Sequence, residues 1–241
     1  MPSYRLTYFD ARGRGEVIRY LFVLADVPYQ DVRVTSEEWR EIKSGWCCNI
    51  FLNIANFAPK NQSSFNLEIE CSAKKFNIKA PFGQLPILEV DDKVLCQSDA
   101  IAVYLAREFG LAGKTSWDEY RVYVVQGAVN DLIAKLIDIH YYTDEETKKA
   151  EKQKDFSENF LPSWLSAVEK VYKEGGTSFF VGDSLTLADL YFFNVCETIQ
   201  VFSRGSKDIF KSAPALDELF DRIANTPKIK AWREKRPKTH F

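Results

Sequence analysis

The sequence predicts an α/β domain followed by an all-α domain. Three observations carry that expectation. Strand-like and helical runs alternate through residues 1–113 in the order βαβ, then ββα; everything from Trp117 onward reads as helix; and 241 residues exceed a usual single domain of about 100 to 200. A βαβ unit implies a parallel strand pair and a two-residue hairpin an antiparallel one.

Taken in order, YRLTYF (residues 4–9) alternates in side-chain character, as a short strand does, and the Gly-containing turn ARGRG follows it. From Glu16, the apolar residues Val17, Ile18, Leu21, Phe22, Leu24 and Ala25 recur at helical spacing until Pro28 stops the pattern. VPYQDVRVT reads as a second strand. LPILEV and KVLC flank Asp91-Asp92 as a hairpin, and SDAIAVYLAREFG reads as a helix with Ser98 as N-cap and Gly110 as its stop. Further helices are expected at Trp117–Tyr142, Asp144–Glu174 with a kink at Pro162, Leu187–Val201, Ala215–Asn225 and Lys228–Lys235. The boundary falls near Leu111–Ser116, giving domains 1–113 and 114–241. Thr186-Leu-Ala-Asp189 matches a capping box with Leu185 and Leu190 as its hydrophobic staple, a folding signal rather than a chemical one.

Lys and Arg number 32 against 34 Asp and Glu, so the net charge of −2 gives no electrostatic case for nucleic acid or a membrane surface. No apolar run reaches the roughly 20 residues of a membrane span or the length of a signal sequence, so a cytoplasmic protein is expected. Five cysteines (Cys47, Cys48, Cys71, Cys96, Cys196), with no CxxC and only two histidines, fit neither a disulfide framework nor a zinc site; reduced thiols are expected. Gly13 and Gly15 lack the third glycine and the Lys-Ser/Thr of a nucleotide loop.

YFDARGRGEVIRYLF, EEWREIK, PFGQLPILEVDD, CQSDAIAVYLAREFGLAGKT, GDSLTLADLYFF and the terminal WREKRPKTHF together resemble the cytosolic glutathione transferases, most closely the sigma class with its prostaglandin D synthases and lens S-crystallins. The resemblance implies a thioredoxin-like first domain, a helical-bundle second domain, glutathione as co-substrate and a homodimer. By it, Tyr8 is the catalytic residue, donating its hydroxyl hydrogen to the glutathione thiolate. A free thiol has a pKa of about 8.5, and a donor to its charged form lowers that value. Taken alone, a tyrosine at a strand end is a packing residue.

The resemblance also makes Leu85-Pro86 a cis-proline turn whose Leu85 backbone pairs with the cysteinyl part of glutathione, with Gln84 beside it. Gln97 and Ser98 bind the γ-glutamyl carboxylate at a helix N-terminus. Trp39 and Lys43 reach the glycyl end, and Asp131 of the partner subunit meets the glutathione amine. Arg14 has two possible tasks, tuning Tyr8 or lining an apolar electrophile pocket with Phe9, the helix around Asp138–Tyr142, and Phe241. Gly127 and Asn130 stand where metal-stimulated members carry acids, so no metal is expected. Asp138 stands where the prostaglandin synthases carry a pocket tryptophan.

One block does not fit the pattern. Lys43 precedes Gln84 by 41 positions, and removing residues 45–78 restores the family's spacing without disturbing another motif. The block holds three of the five cysteines and six asparagines, has few charges and shows no sustained period. It reads either as a lineage-specific loop or as a retained intron or gene-model error; foreign composition and clean excision favour the second. Because it separates Lys43 from Leu85-Pro86, weakened glutathione affinity is expected. The primary expectation is an enzyme conjugating glutathione to apolar electrophiles, with peroxidase or prostaglandin isomerase activity as variants. The alternatives are a ligandin-like or crystallin-like non-catalytic protein and an impaired splice variant.

Overall fold

A computed structural model describes residues 2–43, 80–202 and 207–239. The 45–78 block, with Cys47, Cys48 and Cys71, and the terminal Phe241 lie outside the described residues. The chain divides into two compact units, one holding the residues up to Asp10 and from Tyr29 to Ser98, the other Ala11–Pro28 with Asp99 onward.

The first unit is a four-stranded mixed sheet of β1 (Tyr4–Phe9), β2 (Gln30–Val34), β3 (Ile87–Val90) and β4 (Lys93–Cys96), in the order β2-β1-β3-β4. β1 and β2 are parallel; β1–β3 and β3–β4 are antiparallel. These are the βαβ and ββα pairings read from the sequence, although the second strand is shorter than VPYQDVRVT. At the hairpin Asp91 takes φ 52° and is tied to the chain end beside β1, accepting from the Ser3 N–H at 2.8 Å while donating to the Ser3 carbonyl at 3.1 Å.

A helix, α2, covers 36–43. It begins on a reciprocal cap that the sequence reading overlooked: the Glu38 N–H donates to Thr35 Oγ1 (3.1 Å), and the Thr35 N–H to Glu38 Oε2 (2.8 Å). Its apolar face, Trp39 and Ile42, is buried with Val34, Ile87 and Ala80, and Phe9, Val32, Leu85 and Val94 pack around them. Ile42 and Ala80 flank the 45–78 block on either side, so the chain leaves for the block and returns from it at one apolar cluster.

In the second unit α1 (Glu16–Ala25) ends at Asp26, whose φ of 58° forms a left-handed cap two residues before Pro28. α3 is Ser98–Glu108, with its first residue at the end of the first unit, and α4 is Ser116–Tyr141. α4 starts on the box Thr115–Asp118, and Gly113 before it has φ 92° with its β-carbon position against Asp118 Cβ, so a side chain there would be strained and crowded. The run expected as one kinked helix is α5 (Glu146–Asp155), a π-turn (Phe156–Phe160) and α6 (Leu161–Glu174). Pro162 lacks an N–H and crowds the carbonyl four residues back, and the ladder widens there, with the Leu161 N–H donating to Phe156. α7 (Leu187–Phe202), α8 (Pro214–Ala224) and α9 (Pro227–Lys235) follow. The core of this unit is a run of ring contacts from Tyr172 through Phe180, Phe192, Phe210, Phe220 and Phe193 to Tyr20, with centroids 4.8 to 6.3 Å apart.

Candidate functional site

The sheet register gathers the expected residues of the first unit at one end. The β1–β3 ladder stops at Thr7–Ile87 and the β3–β4 ladder at Ile87–Cys96. Tyr8, Pro86 and Gln97 are the next residues on their three strands. β2 runs parallel to β1, with Val34 opposite Phe9, so the chain leaves β2 at the same end and enters α2 with Trp39 and Lys43.

Tyr8 is buried, its ring edge-on to Phe9 with centroids 5.6 Å apart. The Leu85-Pro86 peptide is cis, and Leu85 lies just beyond the β1–β3 ladder. Gln97 is exposed with φ 68°, a conformation that costs an L-residue roughly 1–2 kcal/mol and concentrates at ligand sites. The sequence makes Ser98 the cap of α3. Instead Ser98 is the first helical residue and Gln97 the one before it, because the left-handed turn at Gln97 reverses the chain directly from β4 into α3. Unpaired N–H groups and the dipole at that N-terminus favour an anion.

Lys43, exposed on the last described turn of α2, reaches Gly83: its Cε and Nζ lie 3.4 and 4.0 Å from where a β-carbon on Gly83 would stand. A cation is therefore held beside the Gly83-Gln84-Leu85-Pro86 turn even though the 45–78 block intervenes in sequence. Gln84 is exposed on that turn. Trp39 is a core residue of α2, 9% exposed, with its ring edge-on to Phe9 at 6.4 Å.

In the second unit, Arg14 is exposed on the 3-10 turn Gly13–Gly15. Asp131 is exposed on α4, on a stripe that includes Tyr120, Tyr123 and Gly127, with Trp117 at its start. The neighbourhood of Asp138 is charged rather than apolar: its carboxylate accepts from Lys152 at 2.7 Å, and both residues line a cavity of about 280 Å³ with Lys135, Glu151 and Asp155 as well as Phe156 and Phe160. A carboxylate on this helix recruits a lysine from α5, which the position alone did not reveal. His140 stacks on Phe202 at 4.1 Å, and burial, then Lys149, holds its imidazole below the usual range. Phe9 is half-buried against the sheet cluster, and the expected contribution of Phe241 lies outside the described residues.

The sequence reading missed a buried ionic cluster in this unit. Glu16 and Arg19 are fully buried, and Glu197 is 4% exposed. Arg236 donates to both Glu16 and Glu197, Arg233 to Glu197, and Trp232 to Glu16. Burial would raise the Glu197 carboxyl, but Arg236 and its neighbours hold it below the usual range; the Tyr20 hydroxyl is pushed up by burial and by Glu197. The available signal was a charge set inside an apolar helical run: Arg19 in EVIRYLF and Glu197 in FFNVCETI. The Cys196 thiol, beside it, is pushed well up by burial.

A family profile described as "Glutathione S-transferase, C-terminal domain" matches residues 130–236, and one described as "Glutathione S-transferase, N-terminal domain" matches 64–107. The second match begins inside the 45–78 block, so residues 64–78 fall within a stretch the profile accepts. Similar proteins include the probable glutathione S-transferase 5 of Caenorhabditis elegans, 37% identical over 254 aligned residues and 100% of both chains. The hematopoietic prostaglandin D synthase of Gallus gallus is 35% identical over 244 residues and 99% of each. Among solved structures, a nu-class glutathione S-transferase from Haemonchus contortus has a TM-score of 0.75 at 33% identity, covering 100% of both chains.

Proposed function

The chain belongs to the glutathione S-transferase family, and from that premise we propose that it activates glutathione with Tyr8 at the end of its four-stranded sheet. It is a glutathione transferase with a thioredoxin-like domain and a helical domain. The observation that carries the site assignment is the convergence at one sheet end of Tyr8, the cis Leu85-Pro86 turn with Lys43 beside it, and the strained Gln97 opening α3.

Each part has its own task in this reading. Ser98 and the α3 N-terminus take the γ-glutamyl carboxylate, with Gln97 oriented by its backbone. Leu85, outside the ladder, pairs with the cysteinyl backbone as an added strand. Lys43 neutralises the glycyl carboxylate, and Trp39 holds α2 in register through its packing. Tyr8 donates its hydroxyl hydrogen to the sulfur; the thiolate is favoured by about 1.4 kcal/mol for each unit its pKa falls. The thiolate then attacks an electrophilic carbon, forming the C–S bond as the leaving group departs with its electron pair. Arg14 stands on its turn to serve the thiolate environment or the electrophile.

The electrophiles are apolar small molecules, the class the family takes. The Asp138–Lys152 pair favours general conjugation over endoperoxide isomerisation, since it places charge where an aromatic wall is expected. The exposed aromatics Trp117, Tyr120 and Tyr123, on the α4 face that carries Asp131, support a homodimer in which Asp131 serves the other subunit's glutathione. No described helix is long and apolar enough to cross a membrane, and the cytoplasm is the proposed location. A non-catalytic carrier is not favoured, because Tyr8, the Leu85-Pro86 turn, Lys43 and Gln97 are gathered at one sheet end.

Tyr8→Phe tests the reading. With 1-chloro-2,4-dinitrobenzene as electrophile, kcat/KM falls about a hundredfold, the size expected for loss of one donor to a developing anion, while glutathione affinity by calorimetry changes little. Loss of affinity with unchanged turnover per bound glutathione would make Tyr8 structural.

A further inference from the structure

Three successive carbonyls before Arg14 are each held by a named donor. The Ala11 oxygen accepts from Arg19 Nη1 (2.8 Å), the Arg12 oxygen from the Glu16 N–H (2.9 Å), and the Gly13 oxygen from Asn194 Nδ2 (3.1 Å). Asn194 is itself 7% exposed, a buried amide on α7. Arg19 is bound in turn by Glu16 Oε2 (3.0 Å), both side chains being fully buried. The second oxygen of Glu16 accepts from Arg236 Nη1 (2.9 Å) and Trp232 Nε1 (2.8 Å). Arg236 is anchored by Glu197 at 2.7 and 3.1 Å and by the Tyr20 hydroxyl at 2.7 Å. A continuous line of charge-assisted bonds therefore runs from the C-terminal segment through α1 into the turn.

Such a line is a poor device for stability alone. Taking paired charges out of water offsets most of their attraction, and apolar side chains of equal volume would hold the helices as well. What it supplies is direction: bidentate arginine contacts and an amide donor fix geometry that apolar packing leaves free. We propose that Arg236, acting through Glu16 and Arg19, and Asn194, acting on Gly13, are positioning residues that set the conformation of the turn carrying Arg14. This rests on the reading of Arg14 as part of the glutathione site. A small misplacement of such a group costs up to about a hundredfold in rate, so the two ties control turnover without touching substrate.

The test is a pair of cycles in the full-length protein: Arg14→Ala, Asn194→Ala, Arg236→Lys, and the doubles R14A/N194A and R14A/R236K. The readouts are kcat/KM with 1-chloro-2,4-dinitrobenzene as a function of pH, which follows ionisation of the bound thiol, and Tm. N194A and R236K each lower kcat/KM about tenfold and move its pH profile the same way as R14A. In the R14A background they lower it no further, while their effects on Tm persist. Independent, multiplying losses, or unchanged turnover in both single variants, overturn the proposal. Asn194→Ala alters no charge and carries the test if Arg236→Lys does not fold. An R14A protein with normal turnover would instead reject the reading of Arg14 itself, and the proposal with it.

Discussion

Lys43 and Gly83 meet from opposite flanks of the 45–78 block, with Lys43 Cε 3.4 Å from the position a β-carbon on Gly83 would take. Gly83 also has φ 60°, so its lack of a side chain serves the left-handed turn beside which the cation lies. Gly83→Ala is expected to destabilise the protein by about 1–2 kcal/mol, the left-handed penalty, while its added methyl would meet Lys43 only in ordinary contact. Urea unfolding checks it, and calorimetric titration of Lys43→Ala with glutathione checks the cation: unchanged affinity there would separate Lys43 from the glycyl end.

Deleting residues 45–78 tests how far the block matters. Its flanks already meet, Ile42 with Ala80 in one buried cluster, so the penalty reduces to loop closure. Shortening a loop from about 41 to about 7 residues relieves on the order of 1.5 kcal/mol. The deletion variant is expected to be more stable by that amount. Its glutathione affinity should gain no more than about tenfold, the equivalent of about 1.4 kcal/mol. Unfolding of the variant would instead assign 64–78, which the N-terminal profile matches, to the domain proper.

Asp189 gives a pH dependence with a definite sign. Its carboxylate accepts from the Phe180 N–H and from both the N–H and the hydroxyl of Thr186, yet full burial outweighs these bonds and pushes its pKa up to about 6. The native state holds this proton between about pH 4 and 6 where the unfolded chain has released it, so stability falls as pH rises through that window and levels off above it. Two units correspond to on the order of 3 kcal/mol. Against Asp189→Asn, the stability gap in urea should shift by that order across the window; a flat gap would place the carboxyl's pKa near its ordinary value.

Tyr123→Glu addresses the proposed dimer. Tyr120 and Tyr123 are 53% and 43% exposed and Trp117 is 65% exposed, a patch of aromatic surface that suits burial against a second copy. A carboxylate there is expected to shift the protein to monomer in sedimentation velocity at micromolar concentration. A wild-type protein already monomeric at that concentration would remove the dimer, and with it the cross-subunit task of Asp131.

Much of the fold was legible because it is written in local patterns. Strand β1 matches its expected residues Tyr4–Phe9, the hairpin at Asp91-Asp92 forms, and α7 starts at Leu187 behind the Thr186–Asp189 box. The boxes Thr35–Glu38 and Thr115–Asp118 were equally legible and were overlooked. The break before Pro162 was expected as a kink, but its form, a π-turn, depends on how the ladder relaxes around a missing donor.

Of the site, the sequence by itself supplied the candidate residues, through the family motifs that carry them, with Tyr8 at a strand end, Leu85-Pro86 before a hairpin and Gln97-Ser98 at a helix start. The register that brings Tyr8, Pro86 and Gln97 to one sheet end came only with the pairing of the strands. Tertiary structure alone decided that Lys43 reaches Gly83 across the block, that Asp138 faces Lys152 instead of an apolar wall, and that Trp232, 216 residues away in sequence, holds Glu16. Periodicity reports which face of an element is buried, but not which distant group it meets. Buried charges expose the difference most clearly, since they persist only where folding brings each one its partner.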